Sequence, residues 1–307
     1  MIIFDKSQTI LEIGKVRIGG QPGELPTVLC GSIFYHKHKI VKDPIQGIFD
    51  KREAERLINQ QDEWSDKTGN PCMVDVVGES GKALAKYVEF VASITDSPIL
   101  LNGSTASVRV EAARIIAEIG LQDRTVYTSI NYTVRENELK SIKELGFRAV
   151  LIQTFNPKNL KPEGSLTMLL GNGNRKGLLF LAQEYGVTKP LLLPPVLDIP
   201  SIGTATRAVY LLKERVGLPT GIAPCGVIGY WRRARKEGTL FKRICSAGIL
   251  GLVKAYGADF IIYGAIRKAP YVFPVVAVID SAIAYNARVY GIRPLTRNHP
   301  IYKYIPS

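Results

Sequence analysis

Short apolar runs rich in β-branched residues recur eight times along the chain, each followed by a longer stretch whose apolar positions fall at helical spacing. The runs occupy residues 27–34, 72–78, 98–103, 125–130, 148–155, 190–197, 219–224 and 259–266. Their apolar residues are continuous rather than alternating, the pattern of strands buried on both faces in a parallel sheet. Strand–helix repetition with short connections predicts an α/β protein, a closed (β/α)8 TIM barrel rather than an open sheet. Barrel enzymes carry their chemistry at the carboxyl ends of the strands, so the residues there are the candidates to read.

The segments between the runs fit the barrel helices. Ala54, Leu57, Ile58, Gln61 and Trp64 mark the first; Leu84, Tyr87, Val88 and Val91 mark the second, which starts at Ser80-Gly81. Further helices are expected over 108–119, 134–145, 201–212, 241–256 and 273–290. Residues 9–18 read as a short hairpin about Gly14 that closes the amino-terminal end of the barrel, and Gly19-Gly20-Gln21-Pro22-Gly23 breaks regular structure before the first strand. The longest connection, 156–174, is expected to be a loop of the kind that covers active sites. Its end, Gly171-Asn172-Gly173-Asn174-Arg175-Lys176-Gly177, suggests an anion cradle but lacks the Walker spacing and the Ser/Thr after the lysine. No domain boundary is visible, and 1–307 is expected to be a single barrel domain.

Composition narrows the setting. A hydrophobic share of 46% in 307 residues suits one barrel. No apolar stretch reaches the roughly 18 residues of a membrane span without interruption. The longest, 269–284, carries Tyr271, Pro270, Pro274 and Asp280 and reads as a buried barrel helix. The first residues have no signal-peptide pattern. The expected location is therefore cytoplasmic, or peripheral to a membrane-bound complex, without direct insertion. The four cysteines form no CxxC pair, and only Cys225, at the end of the seventh strand, sits where chemistry is plausible. His36 and His38 have no cysteine or carboxylate beside them, so no metal site is expected. The net charge of +13 is spread over most helices, except for a cluster at Arg232, Arg233, Arg235 and Lys236 after the seventh strand. No nucleic-acid-binding motif accompanies it, and a docking role for an acidic partner is expected instead.

The strand ends supply Asp75 and Glu79, Asn102 and Ser104, Ser129 and Asn131, Gln153 and Asn156, Asp198, then Cys225, Gly226 and Tyr263. This set has no Ser–His–Asp pattern. Amides and short carboxylates are the groups that read the edge of a heterocycle through paired hydrogen bonds. Each of the three strongest has a plainer role available: Asp75 as a helix cap, Asn131 as a turn residue, Asp198 as a cap before Ser201.

The chain also resembles the H-subunit family of tetrahydromethanopterin S-methyltransferase over nearly its whole length. The matching stretches include Gly19-Gly20-Gln21-Pro22-Gly23-Glu24, Gly47-Ile48-Phe49-Asp50-Lys51, Tyr127-Thr128-Ser129-Ile130-Asn131, Val196-Leu197-Asp198-Ile199-Pro200-Ser201-Ile202-Gly203 and Gly257-Ala258-Asp259-Phe260-Ile261-Ile262-Tyr263-Gly264. The resemblance implies a pterin-binding barrel that moves a methyl group from N5 of methyl-tetrahydromethanopterin or methyl-tetrahydrofolate to the cobalt of a corrinoid. The corrinoid would be held by a partner protein or by another component of a methyltransferase complex, and the barrel itself would be a homodimer. It implies Asp75 and Asn102 as readers of the pterin ring, with Ser129, Gln153 and Asn156 also binding substrate, and Asn131 and Asp198 as catalytic residues. The chemical difficulty is the leaving group, because a tertiary amine departs poorly unless N5 is protonated or hydrogen-bonded. The chain departs from the family pattern at Asn102, where many relatives carry Asp. It departs again at Leu193, where an Asp is usual, and at Gly226, where an Asn is usual and is assigned to N5. These departures leave two rival readings open: a non-catalytic pterin-binding or assembly component, and a barrel that demethylates another small methylated amine.

Overall fold

The computed structural model describes residues 2–173 and 175–305. Eight parallel strands form one sheet: β1 (Val28–Ile33), β2 (Cys72–Gly78), β3 (Ile99–Gly103), β4 (Thr125–Ile130), β5 (Ala149–Gln153), β6 (Lys189–Leu193), β7 (Gly221–Ile222) and β8 (Phe260–Ala265). Pairing follows chain order from β1 to β6, and β8 lies between β1 and β7. A single parallel bridge between Leu192 and Thr220 closes the remaining seam, so the sheet is a barrel. The expected eight strands are all present. β6 stops at Leu193 and not at 197, because Pro194 and Pro195 have no N–H for the ladder. β7 shrinks to two residues between Pro219 and Pro224 for the same reason.

Alternation along each strand sorts the barrel. Cys30, Met73, Leu100, Val126, Leu151, Leu191 and Ile262 share one interior cluster, while Val74, Leu101, Tyr127 and Val150 face the helices. The hairpin Ile10–Ile13 with Val16–Gly19 turns at Gly14, whose φ of 53 is open to glycine. Its Ile13, Val16 and Ile18 join the same interior cluster, so the hairpin plugs the amino-terminal end as expected.

The helices are α1 (Lys51–Thr68), α2 (Gly81–Ile94), α3 (Ala106–Glu118), α4 (Glu136–Glu144), α5 (Pro162–Leu170), α6 (Leu178–Glu184), α7 (Ser201–Val216), α8 (Cys225–Tyr230), α9 (Arg232–Ala255), α10 (Ala269–Ala287) and α11 (Pro300–Lys303). Asp50 and Ser80 cap α1 and α2 by accepting from the N–H groups of Glu53 and Ala83. The connection 156–174 is not the irregular loop expected. It contains α5, which begins with a proline in its first turn, followed by a small hairpin of Gly171–Asn172 against Arg175–Lys176. That hairpin is exposed and Lys176 is paired with Glu184 at 3.2 Å, so the described residues of the segment build a surface turn and not a closed anion cradle. Its Asn174 lies outside the described residues.

The region 266–290 is long and apolar enough to cross a membrane, with 50% of its apolar window buried. It contains α10, which lays Ala269, Val272, Phe273 and Val276 against the barrel. Besides the buried Asp75 and the buried Arg109–Glu138 pair near the carboxyl ends, further buried charges lie at the opposite end. Lys213 of α7 donates to both oxygens of Asp259 at 2.6 and 2.7 Å. Asp280 of α10 accepts from Thr27 N–H and Oγ1, each at 2.8 Å, and from Asn70 Nδ2 at 2.7 Å.

Candidate functional site

The interior of the barrel changes from apolar to polar in its last layer. Two residues beyond Cys30, Met73, Leu100, Val126 and Leu151 come Ser32, Asp75, Asn102, Thr128 and Gln153, on the same face of their strands. The alternation that fills the core therefore also aims these five side chains into the carboxyl-end mouth. On β6 the equivalent position is Leu193, 8% exposed and still part of the interior cluster. One wall of the mouth is hydrogen-bonding and the other is apolar, a suitable lining for a flat heterocycle with one polar edge.

Asp75 is the centre of the polar wall, 3% exposed. Its Oδ2 accepts from Ser32 Oγ at 2.5 Å and its Oδ1 accepts from Asn102 Nδ2 at 3.0 Å. These bonds tie the ends of β1, β2 and β3 together and fix the carboxylate plane. Burial pushes the Asp75 carboxyl above its ordinary range, and the bonds from Ser32 and Asn102 pull it back. Each oxygen keeps a second lone pair, so the carboxylate can accept two further N–H groups.

Asn131 follows β4 at the same end of the barrel. Its Oδ1 accepts from Thr133 N–H at 2.9 Å and from Thr133 Oγ1 at 2.7 Å, which leaves its amide nitrogen as the end able to meet a ligand. Ser129 sits in a register shift of β4 between Thr128 and Ile130. Gln153 is half-buried at the end of β5. Asn156 is committed to its own connection, donating to Gly164 O at 3.3 Å and accepting from Lys158 N–H at 3.1 Å. A groove lined by Tyr132, Asn156, Lys158 and Arg175 runs outward beside Asn131.

Asp198 stands apart from this layer. It is exposed, and its Oδ1 accepts from Ser201 N–H at 2.9 Å at the start of α7. Hydrogen bonds from the Ser201 backbone and side chain hold its carboxyl below the ordinary carboxylate range. One oxygen of the expected acid thus ties the turn into α7, close to its alternative reading as a cap. Tyr263 points outward, its hydroxyl donating to Gln61 of α1. Cys225 is buried, and burial pushes its thiol to about 11, so it is no thiolate at neutral pH. His36 pairs with Glu79 at 2.7 Å on the surface, whereas His38 is buried and accepts from Phe34 N–H at 3.1 Å through Nδ1. The two histidines therefore diverge, and among the described residues no group of three His, Cys, Asp or Glu is placed to hold a metal ion.

Two mouth residues are not among the expected strand-end set. Ser32 lies inside the first apolar run, two positions on from the inward Cys30, and so does not read as a strand end. Lys268 lies in the turn Ile266–Lys268 after β8 and reaches back over the strand ends, donating from Nζ to Tyr263 O at 3.2 Å and to Cys225 O at 3.3 Å. Nothing in its local sequence signals this return. Arg232, Arg233, Arg235 and Lys236 form the exposed first turns of α9, directly after the short α8. Arg235 donates to Gly229 O at 3.3 Å, and Arg233 approaches Glu237 only at 4.0 Å.

Residues 6–295 match the family described as "Tetrahydromethanopterin S-methyltransferase MtrH subunit". The chain is 39% identical over 308 residues to the H subunit of the putative methyltransferase mtx of Methanosarcina mazei, covering 98% of this chain and 99% of the relative. It is 36% identical to the H subunit of the tetrahydromethanopterin S-methyltransferase of Methanopyrus kandleri, covering 96% of this chain and 97% of that one. Among solved structures, it is similar to the dihydropteroate synthase of Yersinia pestis. The TM-score is 0.59 at 14% identity, covering 90% of this chain and 99% of the other. A truncated 3-deoxy-D-arabino-heptulosonate 7-phosphate synthase from Thermotoga maritima matches at a TM-score of 0.52 and 16% identity, covering 94% and 95%. At these identities the structural matches speak for the barrel fold alone.

Proposed function

The chain belongs to the MtrH family of tetrahydromethanopterin S-methyltransferase subunits and is a methyltransferase, and from that premise we propose that its mouth takes methyl-tetrahydromethanopterin and releases the methyl group to a corrinoid on a partner protein. The observation that carries the reading is Asp75: a buried carboxylate, fixed by Ser32 and Asn102, with a free lone pair on each oxygen. It would accept the amino and ring N–H groups at one pterin edge, as a neighbouring pair of donors demands. Asn102 and Gln153 extend that edge, and Leu193 offers the ring an apolar wall. Asn131 would donate its amide nitrogen from the opposite side, with Ser129 shaping the strand beneath it. The groove past Tyr132 and Asn156 suits the substituent of the pterin.

The protein's work is then positioning. Holding the ring fixes the N5–methyl bond on the axis along which the acceptor must approach. Asp198 is left out as the proton donor, since hydrogen bonds from Ser201 hold its carboxyl below the ordinary range. The family name fits tetrahydromethanopterin, and we set tetrahydrofolate aside. As one component of a multi-subunit enzyme, the barrel would meet its corrinoid partner at the mouth, with Arg232, Arg233, Arg235 and Lys236 as the steering face. We take residues 1–307 as one functional barrel unit that works as a homodimer, cytoplasmic or peripheral to a membrane complex.

The test is turnover. The purified chain, methyl-tetrahydromethanopterin and a reduced corrinoid should give methylated corrinoid and demethylated pterin in equal amounts. Pterin binding without transfer would favour the assembly reading, and transfer only from another methylated amine would overturn the pterin assignment.

A further inference from the structure

We propose that Lys268 is the acid that delivers the proton to N5 as the methyl group leaves. The proposal rests on the pterin reading above and names the group that the reading otherwise lacks. The amine that departs must end with a proton, and the polar wall cannot give one. Ser32, Asn102 and Gln153 are neutral, Asp75 is a carboxylate used as an acceptor, and Asp198 is tied to Ser201 at the surface. Leu193 is apolar and Gly226 has no side chain.

Lys268 stands where that gap lies. Its Nζ bonds the carbonyl of Cys225, the residue before Gly226, and a Cβ placed on Gly226 would meet no atom within 4 Å. The ammonium thus sits against the start of α8, just past the end of β7. It also closes the polar row. Ala265 of β8 pairs with Ser32 of β1, which pairs with Asp75 of β2, so Lys268 lies on the β8 side of that row and Asn102 on the other. Around the eight-strand ring the strands facing β2 and β3 are β6 and β7, and Lys268 reaches from the turn after β8 to the Cys225 carbonyl just past β7, which brings it toward that far side.

The chemistry of the lysine suits the task. Two of its three N–H groups are taken by the carbonyls of Tyr263 and Cys225, so one proton remains to be aimed at a ligand. Burial first, then Arg267 beside it and Lys242 of α9, depress its pKa, against an opposing effect of Cys225 on α8. A weaker ammonium is a better proton donor near neutral pH. The side chain is only partly covered, so solvent can restore the proton. In the step, the C–N5 bond breaks and its electron pair stays on N5, which takes the proton from Lys268. The methyl carbon forms its new bond with the electron pair of the incoming acceptor. Lysine ends as a neutral amine, the pterin as a secondary amine, and charge and atoms balance.

The competing role is a clamp, with Lys268 merely fastening α8 to β8. Lys268→Met and Lys268→Arg, studied beside the wild type, separate the two. For each we would measure melting temperature, calorimetric affinity for methyl-tetrahydromethanopterin, and single-turnover transfer to a reduced corrinoid from about pH 6 to 10. The wild-type rate should fall as pH rises through the depressed lysine pKa, because the ammonium is the active form. Lys268→Met should bind the pterin within about threefold of wild type yet transfer roughly a hundredfold more slowly, the usual weight of one general acid. Lys268→Arg should keep the fold and lose the alkaline fall, since a guanidinium does not titrate there. A folded Met variant with wild-type rate and pH profile overturns the proposal. So does loss of melting temperature and affinity that Arg restores while the alkaline fall persists, because that is a clamp. Failure of the wild type itself to bind or demethylate the pterin would overturn the pterin reading, and this proposal with it.

Discussion

Removing the Asp75 carboxylate is the sharpest perturbation of the pterin-edge reading. Each of its oxygens already accepts one protein hydrogen bond, from Ser32 at 2.5 Å and from Asn102 at 3.0 Å. The second lone pairs remain for two ligand N–H groups. Hydrogen bonds to a charged, buried acceptor are worth about 1.5–3 kcal/mol each, and their loss strands the ligand donors as well. Part of that loss is recovered, because Ser32 and Asn102 are released in Asp75→Ala and can turn an oxygen toward the ring. The net expectation is roughly 2–4 kcal/mol, or about 30- to 1,000-fold in Kd. Calorimetry with methylated and demethylated pterin should give the same loss for both, since the contact lies away from the reacting bond. Asp75→Asn keeps the size but turns an acceptor into a donor, and should fall between wild type and Asp75→Ala. Affinity in the wild type should also drop as pH falls through the carboxyl pKa, which burial has raised. A folded Asp75→Ala protein with wild-type affinity would refute the reasoning and leave Asp75 as a tie among three strand ends.

Other outcomes follow from single features. Gly226→Asn should fold normally, because a side chain there meets open space, and should leave transfer unchanged or raise it; abolished transfer in a folded variant would show that the space is needed by substrate. Neutralising Arg232, Arg233, Arg235 and Lys236 together should slow transfer to the partner-bound corrinoid and flatten its dependence on ionic strength. Equal salt slopes for wild type and variant would remove the docking role. Burial lowers the pKa of both His38 and His299 to about 4. The unfolded chain, with histidines near the usual 6.5, then binds more protons as pH falls, so stability should be lost between about pH 6.5 and 4. A melting temperature that stays flat across that window, or a slope that survives replacement of both histidines by Gln, would contradict this.

How much of this is legible in the sequence depends on whether the deciding force is local. The strand runs and helix stripes follow from burial and periodicity, and the hairpin from Gly14 between apolar pairs, so all three can be read. Asp75 and Asn102 are legible for the same reason, as polar residues ending apolar runs. Ser32 escapes because its apolar run extends two residues past it to Phe34, which hides the strand end. α5 escapes because Pro162 and Gly164 look like loop residues, although proline is well tolerated in a first helical turn. Asp198 invites over-reading, since a carboxylate three residues before Ser201 serves a cap and an active site with equal sequence economy. Lys268 is invisible, because its role depends on a side chain folding back across two strand ends that only the closed barrel brings together.

The two ends of the barrel divide buried polarity in opposite ways. At the amino-terminal end, Lys213 and Asp259 pair with each other, and Asp280 accepts three hydrogen bonds from Thr27 and Asn70 besides lying 3.3 Å from Lys254. Those groups satisfy one another, and Ile13, Val16 and Ile18 seal the bore above them. Asn70 Oδ1 and His299 Nε2 are left without a partner there, but the charged groups of that end are matched and act on stability. At the carboxyl end the donors and acceptors are only half spent: Asp75 keeps two lone pairs, Asn131 keeps its amide nitrogen and Lys268 keeps one proton. A buried polar group left unmatched costs free energy, so a row of half-spent groups at one mouth is a place where water or a ligand completes the row. The incomplete groups converge on one mouth, and the basic turns of α9 follow the same strand ends. If the ligand binds where these groups converge, its acceptor arrives over the same strand ends.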